Sequence, residues 1–126
     1  MQKLTLILLL AFILPVVAQE DKPEVIDATN IDLLREKVGG VVTVEGSVTT
    51  VGSTTNKSIT FINVGLPKKQ GFVAVIFQKN YGAFPNGFDA FHEQKVRVTG
   101  TLQLYQGKNP QIEVKTADQI EIIKAE

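Results

Sequence analysis

The sequence contains no cysteine and no tryptophan, and it has only one histidine. Without cysteine the chain forms no disulfide, no thiol nucleophile, no cysteine-based metal site and no lipid anchor attached through cysteine. A Ser-His-Asp triad would have to use His92 as its base, and no nucleophile-elbow motif accompanies that residue. No glycine run has the spacing of a phosphate-binding or dinucleotide-binding loop. These absences predict a protein that is not an enzyme and that carries no cofactor.

The one histidine lies near two carboxylates. Asp89, His92 and Glu93 stand at positions i, i+3 and i+4, so a helical turn would bring them to one side. Imidazole and carboxylates are suitable ligands for a divalent ion. No further ligand is close in sequence, and we therefore predict a solvated surface rather than a metal site. A metal-assisted enzyme built on His92 remains a minor alternative.

Long hydrophobic runs are confined to the N-terminus. Lys3 precedes an apolar run over residues 4–14, Pro15 interrupts it, and small or modest side chains end at Ala18. This layout predicts a secretory signal peptide over residues 1–18. The alternative is a membrane anchor, which needs about 20 apolar residues. Since a disulfide-free secreted domain is less expected in eukaryotes, we expect export to a bacterial periplasm or the extracellular space.

The net charge is zero, but the charges are unevenly placed. Residues 46–115 carry eight cations and three anions, which gives +5. Residues 19–45 carry three cations and seven anions, which gives −4, and residues 116–126 carry −2. A basic middle between acidic ends fits a domain that meets polyanions through its central strands. The alternative is an ordinary set of solubilising surface lysines.

Two segments alternate between apolar and polar residues with period two, as half-buried strands do. They are "VVTVEGSV", interrupted by Gly46, and "VRVTGTLQL", interrupted by Gly100. Glycine inside a strand permits the bend that a small closed sheet needs. "SITFINV", "FVAVIF" and the C-terminal "PQIEV" and "QIEII" supply further strands. Short helices are predicted at "IDLLREK", capped by Thr29 or Asn30, and at residues 88–93.

This order predicts an all-β fold, a five-stranded Greek-key OB-fold barrel with a short N-terminal helix and a short helix between strands 3 and 4. The barrel would occupy residues 30–126 after a polar N-terminal tail over residues 19–29. A β-sandwich is the alternative architecture, but it usually requires seven or more strands.

The segments "VTVEGSV", "SITFINVG", "FVAVIF", "KVRVTGTLQLYQGKNPQIEV" and "QIEII" carry a family likeness. Together they resemble the nucleic-acid-binding OB domains of the anticodon-binding type, in their small exported bacterial form. The resemblance spans about residues 38–123. It implies that a ligand lies across strands two and three, between the loops that join strands one to two and four to five.

The resemblance also implies which residues contact that ligand. Phe61 matches the strand-two aromatic that stacks on a base, and Asn63 shares its face. Lys57 and Lys108 would neutralise phosphates from the two loops, and Tyr105 would stack from the last hairpin. Each has a plain structural alternative: Phe61 fills the core, Tyr105 shields the hairpin edge, and the lysines only solubilise the surface.

The predicted function is therefore weak, sequence-independent binding of single-stranded DNA or RNA by an exported monomer. The alternative is a periplasmic module of the envelope-stress type, which uses the same face for another exported protein, a peptide or a sugar. OB barrels bind all of these ligand classes, so fold alone does not decide between them.

Overall fold

The computed structural model describes residues 22–68 and 70–124. The predicted signal peptide lies outside these residues. The described elements are seven β-strands and one α-helix: β1 (Glu24–Asp27), α1 (Ile31–Glu36), β2 (Val41–Ser53), β3 (Ile59–Val64), β4 (Phe72–Phe77), β5 (Lys95–Tyr105), β6 (Asn109–Glu113) and β7 (Ile120–Ile122). Three 3₁₀ helices cover Gln78–Ala83, Asp89–Phe91 and Ala117–Gln119. Within the described residues, no helix combines the length and hydrophobicity needed to cross a membrane.

The strands form a mixed sheet that partly closes into a ring. Their order is β1-β2-β3-β4-β6-β5-β7, and β2 also pairs with β5. The β1–β2 and β4–β6 pairs are parallel, and the other pairs are antiparallel. The all-β prediction is confirmed, and the ring is compatible with an OB-like barrel. The predicted count of five strands is wrong, because β1 and β7 extend the ring formed by β2 to β6.

Strand β1 corrects the prediction that residues 19–29 are only a polar tail. It pairs in parallel with the start of β2, and Ile26 and Ala28 are buried. The Ala28 N–H then donates to the Glu45 carbonyl at 2.8 Å. A strand of four residues with one core side chain has too short a pattern to detect from sequence, since its stability comes from the pairing with β2.

Helix α1 begins where the sequence predicts. The Asn30 side chain accepts a hydrogen bond from the Leu33 N–H at 3.3 Å, so Asn30 rather than Thr29 is the N-cap. Leu34 is fully buried in the hydrophobic core, while Val38, which follows the end of the helix, is exposed.

The two long strands contribute their inward-facing positions to the core, as the alternation predicts. Its members from β2 and β5 are Val42, Val44, Val48, Val96, Val98 and Leu102. Burying a side chain of this size stabilises the fold by about 1.5–3 kcal/mol relative to leaving it exposed.

The two strand glycines are also sites of close packing. A Cβ at Gly46 would lie 2.9 Å from the Ala28 Cβ, and one at Gly100 would lie 2.6 Å from Ile112 Cγ2. Both distances are shorter than real carbon–carbon contacts. Glycine is therefore required where β1 and β6 approach the two long strands.

The connection from β4 to β5 is anchored by aromatic side chains. Phe88 packs against Tyr81 and Phe84 with ring centroids 5.4 and 5.0 Å away, and Phe84 also contacts Phe91 at 6.3 Å. All four rings pack on the hydrophobic core. The helix predicted at residues 88–93 is a single 3₁₀ turn, Asp89–Phe91.

Candidate nucleic-acid interface

The register of β3 decides which way Phe61 faces. Ile62 and Val64 are fully buried in the core, so the alternating positions Phe61 and Asn63 lie on the outer face of the strand. Phe61 is half-buried there and is paired with Val75 of β4. The aromatic ring is thus not part of the core cluster and is available at the surface.

A row of side chains crosses four strands at the level of Asn63. Asn63 is paired with Val73 of β4, Val73 with Gln111 of β6, and Gln111 with Gln103 of β5. Directly paired residues share a face of the sheet, with Cβ atoms about 4.5–5.5 Å apart in antiparallel pairs. We call the surface formed by Phe61 and the first three members of this row the β3–β4–β6 face.

A cavity of about 240 Å³ lies on this face. Phe61 and Val73 give it apolar walls, and amide side chains with Tyr105 form its rim. Its lining residues are Phe61, Asn63, Lys68, Gly71, Val73, Tyr105, Asn109 and Gln111. A mostly apolar depression with a few polar groups at its edge is the usual form of a small-ligand site.

The structure brings three of the five predicted site residues into this cavity: Phe61, Asn63 and Tyr105. Asn63 is held in place, because its Nδ2 donates to Thr50 Oγ1 at 2.9 Å. Tyr105 is half exposed and follows the end of the row on β5. A planar group in the cavity would thus meet an aromatic ring from β3 and another from the hairpin.

The two predicted lysines do not line the cavity. Lys57 is in the β2–β3 turn, with a left-handed backbone (φ 60°) and a carbonyl that accepts a hydrogen bond from Tyr81 at 3.0 Å. Lys108 is in the β5–β6 turn, and its carbonyl accepts from Arg35 at 3.1 Å. Since β3 and β4 run antiparallel and β4 and β6 run parallel, these turns lie at opposite ends of the face.

Sequence reasoning missed several lining residues. The sequence placed Lys68 in a polar loop and Asn109 and Gln111 in or beside the last hairpin strand, without indicating that any of them lines a cavity. Their signal was the alternation itself: Gln111 lies between the buried Pro110 and Ile112, so it faces outward. Which outward residues meet across the sheet depends on strand order, which the sequence does not display.

The described cations near the β3–β4–β6 face differ in their ion pairing from several of those elsewhere. Away from the cavity, Lys95 and Arg97 contact the Glu45 carboxylate at 3.2 and 2.8 Å, and Lys37 contacts Glu24 at 3.1 Å. Around the β3–β4–β6 face, four lysines form no ion pair with any residue the structure describes: Lys57, Lys68, Lys79 and Lys108. Part of the positive charge that has no ion-pair partner among the described residues therefore lies around this face.

Among the described residues two carboxyl groups have a lowered pKa, and both lie outside the cavity. The hydrogen bond from Arg97, followed by that from Lys95, lowers the pKa of Glu45 below its ordinary value of 4.5. Hydrogen bonds from the Thr29 side chain and backbone lower the pKa of Asp27. Both pKa shifts are therefore caused by contacts that stabilise the fold around β1, β2 and β5.

The residues considered as metal ligands do not converge. Asp89 begins a 3₁₀ turn, His92 follows its end, and Glu93 has a left-handed backbone. Among residues 22–68 and 70–124, no three histidine, aspartate or glutamate side chains are grouped so as to hold a metal ion.

Comparison with known proteins identifies relatives of the fold only. No protein-family model matches the chain, and no curated protein matches it significantly. A protein from Leishmania major assigned as an aspartyl-tRNA synthetase superposes with a TM-score of 0.51 at 16% identity, over 86% of this chain and 22% of its own. The aspartyl-tRNA synthetase from Entamoeba histolytica gives 0.50 at 13% identity, over 82% and 25%.

A third solved structure matches along its whole length. It is the OBody AM1L10 bound to hen egg-white lysozyme, with a TM-score of 0.51, 15% identity, and coverage of 84% of this chain and 100% of its own. The chain thus spans about a quarter of the two synthetases and all of the OBody. These likenesses place the fold among OB-like barrels.

Proposed function

We propose that this protein is a non-enzymatic, exported module that binds single-stranded nucleic acid on the β3–β4–β6 face without sequence preference. The observation that supports it most is the combination of an aromatic-walled cavity, containing Phe61 and Tyr105, with lysines at both ends of the same face that form no ion pair with the described residues. Every base has a flat surface that can stack, and every nucleotide has a phosphate, so this chemistry is sequence-tolerant.

The two parts of the site act on different parts of a nucleotide. A base stacked on Phe61 would have its edge near the amides of Asn63 and Gln111, which can both donate and accept hydrogen bonds. Lys68, exposed at the rim, is placed to attract the attached phosphate. The fold relationship to two tRNA synthetases, proteins that act on RNA, is consistent with this assignment.

Removing the Phe61 ring tests the proposal. We expect Phe61→Ala to weaken binding of a fluorescein-labelled oligothymidylate by about 1–3 kcal/mol, or about fivefold to 150-fold, because a stacking surface is lost. Fluorescence anisotropy measures the Kd. Phe77→Ala is the matched control, since Phe77 is also half-buried on a neighbouring strand but lies outside the cavity.

Thermal unfolding of both variants is the control that checks whether each one still folds. Equal Kd values for the Phe61 and Phe77 variants would contradict the proposal that a base stacks on Phe61. Failure of the unmodified protein to bind any oligonucleotide would remove the proposal itself.

A protein-binding module is the second candidate. The OBody, which shares the fold over its whole length, is bound to lysozyme. A half-exposed tyrosine beside an apolar cavity is also a common feature of protein interfaces. This candidate predicts no salt-sensitive oligonucleotide binding and loss of a protein partner in the Phe61→Ala variant.

A further inference from the structure

A second depression, of about 330 Å³, lies on the outside of the barrel where β5 passes between β2 and β6. Its lining is polar, in contrast to that of the first cavity. The lining residues are Val41, Gly100, Thr101, Gln103, Glu113, Lys115 and Gln119. The function proposed above makes no use of them.

The two depressions are adjacent. Gln103 lines the second one and is paired directly with Gln111, which lines the first. Neighbouring strands are about 4.8 Å apart, so an extended ligand passes from one to the other over a single strand spacing. Neither Gln103 nor Gln111 has a side-chain hydrogen bond to any residue the structure describes. Both amides are therefore available to hydrogen-bond a ligand where it passes from one depression to the other.

Lys115 supplies the cation of the second depression. Its backbone N–H donates to Gln119 Oε1 at 2.7 Å, which fixes the chain at the rim. Its side chain is exposed and forms no ion pair within the described part of the chain. The Gln119 amide nitrogen is occupied by the carbonyls of Thr99 and Glu113, each at 3.1 Å, so Gln119 has a positioning role.

The chemistry of the depression suits a sugar–phosphate segment better than a base. Thr101 and Gln103 can hydrogen-bond to sugar and phosphate oxygens, and Lys115 can neutralise one phosphate. The Glu113 carboxylate would repel a phosphate in direct contact, and it is placed to accept a hydrogen bond from a sugar hydroxyl or a base amino group. Phosphate contact is therefore assigned to the Lys115 rim.

We propose that the second depression is an extension subsite for the same single-stranded nucleic acid, and that Lys115 is its phosphate-binding residue. This inference rests on the proposed function. The bound strand would run across β3, β4, β6 and β5, from Phe61 over Gln111 and Gln103 to Lys115.

The test compares Lys115→Gln with Lys124→Gln on oligothymidylates of increasing length. The two variants make the same charge change, and Lys124 is exposed and lies outside both depressions. Fluorescence anisotropy at several salt concentrations gives Kd and its salt dependence for lengths from about 4 to 16 nucleotides, the range of OB-fold site sizes.

For the longer oligonucleotides we expect Lys115→Gln to raise the Kd about fivefold at 0.1 M salt and to reduce the magnitude of the log–log salt slope by about 0.7, the value for one phosphate on a single strand. For the shortest ones, which fit in the first cavity, it should match Lys124→Gln. If both variants behave alike at every length while the unmodified protein binds, the extension subsite is rejected and the proposed function stands. Absence of binding by the unmodified protein rejects both.

Discussion

Glu45 has a perturbed carboxyl group away from the cavity. Lys95 and Arg97 both contact its carboxylate, and the side chain is 23% exposed. These contacts favour the ionised form and lower the pKa of Glu45 below 4.5 in the folded protein. A carboxyl whose folded pKa is depressed stabilises the fold above its unfolded pKa, and this contribution is lost as the pH falls through the folded pKa.

Replacing this carboxylate therefore gives a pH-dependent result. We expect Glu45→Gln to lower the free energy of unfolding by up to about 1 kcal/mol at pH 7, as for other partly exposed ion pairs. The difference from the unmodified protein should shrink as the pH falls through the lowered pKa of the folded state, below which the carboxylate is protonated in both states. Urea unfolding at pH 7 and pH 3 measures it, with exposed Glu36→Gln as the control. A difference that is constant with pH would contradict the account.

The glycines in the long strands matter at the scale of the element. Gly100 of β5 lets Ile112 of β6 approach to a distance that leaves no room for a Cβ. Gly46 of β2 likewise leaves room for Ala28, which directly follows β1. Gly52 of β2, by contrast, has no atom of any described residue other than its chain neighbours within 4 Å of an added Cβ. The three positions thus separate the effect of close packing from the general preference against glycine in strands.

A methyl group added at Gly100 should affect the stability much more than one added at Gly52. We expect Gly100→Ala to destabilise the fold by about 1–3 kcal/mol, since overpacking forces β5 and β6 apart. Gly52→Ala should change the stability by less than about 0.5 kcal/mol, as open surface positions do. Thermal or urea unfolding measures both. Similar stabilities of the two variants would show that β6 moves freely and that the contact is not tight.

Helices and strands with long or distinctive sequence patterns could be predicted, and short strands could not. β2 and β5 are 13 and 11 residues long and contain the period-two segments "VVTVEGSV" and "VRVTGTLQL", and helix α1 has a clear N-cap in Asn30. β1 was missed, because it has four residues and depends on a partner distant in sequence. The side of β3 that faces the core was ambiguous, because Phe61 and Ile62 are both large and apolar, and only the pairing with β4 resolves it.

The candidate site was predictable only in part for a similar reason. Phe61, Asn63 and Tyr105 follow from the fold resemblance, since each occupies a position on a strand. Gln111 and Val73 join them through strand order alone. Lys57 and Lys108 are on turns, and a turn's position relative to a cavity is set by the lengths of the flanking strands, which sequence patterns leave uncertain by several residues.

At the scale of the whole molecule, the neutral chain separates its charges. Two cations on β5, and Lys37 just after α1, pair with glutamates, while the lysines around the β3–β4–β6 face form no ion pair within the described residues. Although the net charge is zero, this face carries lysines that form no ion pair with the described residues, and cations placed in this way would favour the approach of a polyanion. Binding to such a surface releases the counterions condensed on the nucleic acid and so weakens as salt is added.

The salt dependence of oligonucleotide binding is the most direct test of this account. The Kd of the unmodified protein for a labelled oligothymidylate is measured by anisotropy from low to high potassium chloride. Two to five phosphate contacts predict a straight log–log plot of the association constant with a slope between about −1.4 and −3.5. A Kd that does not change with salt, or no binding at the lowest salt concentration, would contradict the claim that the lysine-flanked face binds nucleic acid.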